Sequence, residues 1–381
     1  MDNLRVMGGE VLLAECMFQR EDLLLSGGMI SAGDADAEAV FDARGLLVLP
    51  GIVDIHGDAF ERQVQPRPGV DFPAAIALAD TEAQLLANGI TTAYHGITLS
   101  WEPGLRGLNA WQSLLDALDA GSWVCDMRVH LRWEAYNLDA LDVALADIAA
   151  SRVHLLAFND HTPAILRRLA DPVTAAKYSD RAGMSLAEFR RLAERIEAGA
   201  DRVPVGLDRI SAAAQAAGIP MASHDDETVA MRDAFRRRGA RICEFPVGEV
   251  VGKAARAAGD WVVMGSPNVV RGGSHLGWAS AATLAEAGIC TVLSSDYYYP
   301  SMLRAAFVLA ARGVLDLGRA WALISANPAR AAGLEDRGAI EPGRRADLVV
   351  VDPAGPSTVA TIAAGRIAHL SAAGAARLRV G

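Results

Sequence analysis

The chain has 381 residues, 51% of them hydrophobic, and a formal net charge of -10 at pH 7. That length and apolar content suit one large core or two ordinary ones. The acidic balance argues against nucleic acid and an anionic membrane surface as partners, but leaves a small phosphorylated substrate open, because a pocket is free to be locally basic.

The opening stretch, MDNLRVMGGE, has neither a basic n-region nor an apolar h-region, so no secretory signal is expected. No apolar run is long enough to span a bilayer. Cys16, Cys125, Cys243 and Cys290 are scattered, form no C-x-x-C pair, and read as small core residues in a reducing cytoplasm. Residues 1–50 carry short strand-like pieces broken by glycine, such as EVLLAECMF and DLLLSGGMIS. Residues 51–334 alternate apolar strands with alanine-rich helical segments. The strand candidates are GIVDIH, GITTAYHGI, MRVHLRWE, VHLLAFND, IPMASHDD, RICEFPV, WVVMGSPN and CTVLSSD. Eight such units predict an α/β fold, a (β/α)8 barrel of the TIM type. Residues 335–381 return to a turn followed by a buried strand in DRGAIEPGRRADLVVVDPAG. The two termini are therefore expected to pair into one small β-sandwich domain beside the barrel.

Polar residues collect at the strand ends. His56 and Asp58 stand two apart at the end of the first strand, so both side chains point the same way. The third strand ends in Glu134, the fourth in Asp160 and His161, the fifth in His224, Asp225 and Asp226, and the eighth in Asp296. In a barrel these ends meet around one mouth, where chemistry happens. Three histidines and several acids there suit one or two divalent ions, with zinc, manganese and iron all compatible. Taken singly, each residue is weak evidence. Asp225 and Asp226 read equally well as caps of the helix opening in DDETVAMRDAF. His130 and His154 lie inside strands and read as hydrogen-bonded core residues, His369 reads as inert, and His95 at the end of the second strand has no assigned role. The repetition at successive strand ends is the signal.

The stretch VVRGGSH offers a second feature. Gly272 and Gly273 allow backbone N–H groups to converge on an anion, with Arg271 and His275 beside them; the alternative is an ordinary glycine turn. Arg67, between two prolines in QPRPGV, is a further anion candidate. Tyr297 and Tyr298 either close over a sugar or pack at the rim.

The opening strand LPGIVDIHGD, the segment ISANPARAAGL and the return DRGAIEPGRRADLVVVD resemble the amidohydrolase superfamily over nearly the whole chain. PRPGVDFP, NGITTAYHGI, HLRWE, ASHDDET, VVMGSPNVVRGGSHLG and LSSDYYYPS are more closely similar to its phosphonate-degrading branch, the triphosphate diphosphatases of the carbon–phosphorus lyase pathway. The resemblance implies a metal-dependent hydrolase that releases pyrophosphate from a ribose 5-triphosphate carrying an alkylphosphonate. It implies two metal ions on His56, Asp58, Glu134, His161 and His224, with Asp296 as a further ligand or as the base that takes a proton from water. Metal binding can lower the pKa of water from about 15.7 to about 7. Arg271, Gly272, Gly273, His275, Arg67 and Tyr297 would then bind the substrate. Many superfamily members bridge their metals with a carboxylated lysine, but the only lysines here are Lys177 and Lys253, and neither ends a strand. Glu134 is the expected substitute, with Arg132 on the same strand face to orient it. The competing functions are carbon–nitrogen hydrolysis, such as deamination or cyclic-amide opening, and a non-catalytic assembly subunit. The stretches EAYNLDAL and VTAAKYSDRAGM depart from the family pattern, which leaves the alkyl group or sugar open. Alanine-rich outer helices fit a monomer or a homodimer.

Overall fold

A computed structural model describes residues 3–14, 16–33, 36–67, 69–273 and 280–380. His275 lies outside the described residues. Eight parallel strands run in sequential order: Ile52–Gly57, Ile90–Leu99, Asp126–Glu134, Leu155–Asn159, Met221–His224, Ile242–Glu244, Trp261–Gly265 and Val292–Ser294. Each falls within or over one of the eight apolar stretches read from the sequence. The runs are apolar almost throughout because a parallel sheet wrapped by helices is buried on both faces; all ten residues of Ile90–Leu99 are buried.

The barrel closes between its first and last strands. Gly57 bridges Asp296, the Asp58 N–H donates to the Asp296 carbonyl at 2.9 Å, and the Asp296 N–H donates to the His56 carbonyl at 3.0 Å. Only glycine fits at position 57, since a Cβ there would lie 2.7 Å from an Asp54 carboxylate oxygen and 2.9 Å from Ser295 Oγ. The lower interior is filled by Val53, Ile55, Tyr94, Leu155, Ala157 and Val263, so the barrel is a packed core and not a pore. The polar residues lie above this plug.

The termini build a separate nine-stranded sheet, mostly antiparallel. Leu47–Pro50 pairs with Asn3–Leu12 on one side and with Leu348–Asp352 on the other, which ties the entry into the barrel to the exit from it. Its alternating positions Val6, Phe41, Val48, Leu348 and Val350 pack into a core of their own. Cys125, Cys243 and Cys290 are buried, and no helix among the described residues is long and apolar enough to cross a membrane.

Candidate metal centre at the barrel mouth

Among the described residues, two sets of three ligand atoms converge above the plug, each set lying within 4.8 Å: His56, His224 and Glu244 in one, His161, His224 and Asp225 in the other. The first is deep. His224 and Glu244 are register partners on adjacent strands. One Glu244 oxygen, Oε2, faces His56 Nδ1 at 3.0 Å and His224 Nδ1 at 3.2 Å, and the two imidazoles stack with centroids 5.1 Å apart. His130 closes the floor with Nε2 3.8 Å from Glu244 Oε1, while its Nδ1 lies 3.1 Å from the Ile55 carbonyl. His130 is thus a hydrogen-bonded core residue, whereas His154 is only half-buried, its Nδ1 accepting from the Val129 N–H at 3.2 Å.

The second set is more open. Asp225 has a φ of 56°, a left-handed turn at the strand end that brings its carboxylate 3.4 Å from His161 Nε2 and 3.5 Å from His224 Nε2. The opposite ring nitrogens of His224 therefore serve the two sets. His161 is aimed by Glu134, whose Oε2 lies 3.4 Å from His161 Nδ1. The other Glu134 oxygen is fully engaged: it accepts from the N–H groups of His161 and Thr162, both at 3.1 Å, and from Thr162 Oγ1 at 2.8 Å. Trp101 Nε1 donates to the same Thr162 hydroxyl at 2.8 Å. The carboxylate expected to bridge two ions instead sits in a clamp and stands in neither ligand set. Arg132, expected to orient it, reaches elsewhere, to His224 Nε2 at 3.0 Å and Asp58 Oδ2 at 3.4 Å.

The donor chemistry fits a divalent cation. Burial holds His56 and His130 down to about 3 and His224 well below the usual imidazole range, with the Arg132 charge acting the same way on each. These rings are neutral, the form that binds a metal. Burial pushes Glu244 up to about 7, and pushes Asp296 to about 7 with help from Asp58 and Asp160 to about 6 with help from Glu134. For His161 burial works downward, but its hydrogen bonds to Asp225 and Glu134 outweigh it and lift the ring to about 9. Glu244 Oε1, His130 Nε2 and Asp160 Oδ1 are buried without a hydrogen-bond partner among the described residues. Buried lone pairs without a donor, beside carboxyls that cannot ionise cheaply, are what a bound cation would satisfy.

The remaining sequence candidates separate. Asp296 also has a left-handed φ of 56°, and its backbone closes the barrel beside His56. Asp226 is buried behind the strand against Ser223 and Cys243, 3.9 Å from Arg232. Neither Asp225 nor Asp226 caps the next helix, which starts at Val229 with Thr228 as its cap. His95 packs edge-on against Phe60, ring centroids 5.2 Å apart. Gly272 has a φ of 84° and ends helix Ser266–Arg271; its N–H and that of Gly273 donate to Val269 and Asn268 carbonyls of that helix. These two amides are therefore spent on the helix end and do not converge on an anion. Arg271 is exposed and donates to the Tyr297 hydroxyl at 3.2 Å. Arg67 is exposed in its loop, bridged to Val70. Tyr298 is exposed at the rim.

The site opens into a cavity of about 570 Å³. Glu134, Asp160, His161, His224 and Asp225 line it, and so do the acids Glu102 and Glu227 and the cations Arg106, Arg167 and Arg168.

The chain matches the family model described as "Amidohydrolase family" over residues 47–374. It is 34% identical over 317 residues to the alpha-D-ribose 1-methylphosphonate 5-triphosphate diphosphatase of Escherichia coli (strain K12), covering 81% of this chain and 84% of that protein. Among solved structures it resembles dihydropyrimidinase from Brevibacillus agri, with a TM-score of 0.60 at 14% identity over 97% of this chain and 95% of that one. It also resembles N-acetylglucosamine-6-phosphate deacetylase from Pasteurella multocida, with a TM-score of 0.62 at 11% identity over 96% of this chain and 99% of that one. At these identities the structural likeness concerns the fold.

Proposed function

This chain belongs to the amidohydrolase family and is a hydrolase, and on that premise we propose that it cleaves alpha-D-ribose 1-methylphosphonate 5-triphosphate, or a close alkylphosphonate analogue, to the 5-phosphate and pyrophosphate. The observation that carries this reading is the 34% identity to the Escherichia coli diphosphatase, spread over 81% of the chain.

A divalent ion held by His56, His224 and Glu244, with His161, Asp225 and Asp58 beside it, would supply Lewis acidity and a more acidic water. The chain's own residues do the rest. Glu134, fixed by Thr162, holds the His161 ring in place. Asp296, pinned by its backbone to the strand carrying His56, offers a carboxylate to take the proton from the attacking water. Arg132, beside Asp58 and His224, gives positive charge close to the α phosphorus as charge spreads over its oxygens. Arg271, held by Tyr297 one residue after Asp296, stands at the rim for the departing phosphates. The assignments of Arg67 and His275 to substrate rest on the sequence alone.

The experiment is hydrolysis of the methylphosphonate triphosphate in ¹⁸O-labelled water, with phosphate and pyrophosphate measured separately. Pyrophosphate without free phosphate is expected, with the label in the sugar 5-phosphate, since in-line attack at the α phosphorus leaves pyrophosphate unlabelled. Release of free phosphate as the first product, or no turnover with any divalent ion, would sink the reading.

A further inference from the structure

The helix Thr162–Arg168 does two things at the barrel mouth. Its first residue clamps Glu134, and its remaining length walls the cavity, with Pro163, Ala164, Ile165, Arg167 and Arg168 all lining it. Pro163 and Arg167 stand four apart, as do Ala164 and Arg168, so each arginine rises above a residue that already borders the cavity. Both arginines are exposed, and neither side chain has an ion-pair or hydrogen-bonding partner among the described residues. Two neighbouring guanidiniums are paired with acids: Arg106 faces Glu61 at 3.5 Å, and Arg132 faces Asp58 at 3.4 Å.

A basic residue in the last turn of a helix is favoured by the carbonyl dipoles there. That accounts for one arginine on the helix, but not for two lining a cavity that the imidazoles and carboxylates of the candidate site also line. With metal on those ligands, positive charge would stand in two places, at the ligand cluster and at the far end of a helix that starts beside His161, about 10 Å along at 1.5 Å per residue. A substrate with a single anionic group needs only one of them.

We propose that Arg167 and Arg168 form a second anion subsite, holding a tetrahedral phosphorus oxyanion at the end of the substrate remote from the bond being cut. Resting on the reading above, we assign it to the phosphonate on the ribose. Two planar guanidinium forks match the oxygens of a phosphonate in paired, charge-assisted hydrogen bonds. The same oxyanion chemistry is offered by the terminal phosphates, and the test separates the two.

The variants are Arg167→Ala/Arg168→Ala and the charge-keeping Arg167→Lys/Arg168→Lys, with the melting temperature as a check on folding. The quantity read is kcat/KM for ribose 1-methylphosphonate 5-triphosphate divided by kcat/KM for ribose 5-triphosphate. In the alanine variant this ratio is expected to fall by at least about tenfold, mainly through KM, with partial recovery in the lysine variant. An equal fall for both substrates leaves the ratio unchanged and overturns the assignment, moving the arginines to the triphosphate. No fall for either substrate overturns it as well. A second arm does not depend on turnover: methylphosphonate, and separately pyrophosphate, is titrated into metal-loaded wild type and alanine variant by calorimetry. Methylphosphonate binding that weakens in the variant while pyrophosphate binding holds supports the subsite. Methylphosphonate binding that is absent from wild type, or equal in the two proteins, overturns it. If wild type cuts neither triphosphate, the diphosphatase reading fails and this second arm still decides the subsite.

Discussion

Glu244 is fully buried, reaches two imidazoles through one oxygen and leaves the other without a hydrogen-bond partner among the described residues. Replacing it with glutamine keeps the volume and removes the charge, leaving an amide N–H to face a cation or a ring nitrogen. Glu244→Gln should lower metal affinity by roughly 10–100-fold or more, the scale at which even residues behind the ligands act. Bound metal per chain, measured after dialysis, checks this. Glu134→Gln should lose less, because the Glu134 oxygen that accepts three hydrogen bonds can be an amide oxygen without change. The opposite ranking would return the central place to Glu134. The sequence made His56, His161 and His224 legible because each stands at the end of an apolar run. Glu244 stood in such a position too, in RICEFPV, but one acid among Ile242, Cys243 and Phe245 reads as part of a core strand until His224 is seen beside it in register. Nor does the sequence say which of Asp225 and Asp226 faces the site. Neighbours on a strand alternate, and here the left-handed turn at Asp225 decides.

At the level of the elements, barrel closure and ligand placement are one arrangement. The strand carrying His56 meets the strand end carrying Asp296 through Gly57, with backbone hydrogen bonds on both sides. Gly57→Ala would push a methyl group to within 2.7 Å of the Asp54 carboxylate. Overpacking at such a closure typically costs about 1–3 kcal/mol. A lowered urea midpoint at constant slope is expected, together with weaker metal binding as Asp58 and Asp296 shift apart. A variant as stable as wild type would mean that the closure yields freely and does not fix the ligands. All eight strands could be read from the sequence because double burial makes each an apolar run of its own. Their ends could not. The sixth strand is only Ile242–Glu244 and the eighth only Val292–Ser294. The helix after His224 begins not at the two acids but at Val229, where the Thr228 hydroxyl accepts from the Met231 N–H. The glycine pair at residues 272 and 273 shows the same limit, since a helix end and an anion loop call for the same residues.

Over the whole molecule the candidate ligands come from distant parts of the chain: His56 and Glu244 are 188 residues apart and meet at 3.0 Å. An ion at this centre cross-ties the first, fifth and sixth strands, with His161 from beyond the fourth. The packing of the rest does not depend on it. The interior plug, the helical layers and the terminal sheet each have a buried apolar cluster that contains none of the ligands. Metal removal should therefore leave the fold standing and loosen it. Binding to the native state alone stabilises by about 2.7 kcal/mol when free metal exceeds its dissociation constant a hundredfold. For a chain of this size that corresponds to a rise of several degrees in Tm. Chelation is expected to lower the Tm by that amount with an unchanged far-UV spectrum at room temperature, and returned zinc, manganese or iron should restore it. In Glu244→Gln the metal-dependent part of the shift should shrink while the metal-free Tm holds or rises, because that side chain no longer brings a buried carboxyl with it. A wild-type Tm indifferent to excess metal, alongside full metal-dependent turnover, would place the working ion outside the pair of ligand sets that share His224.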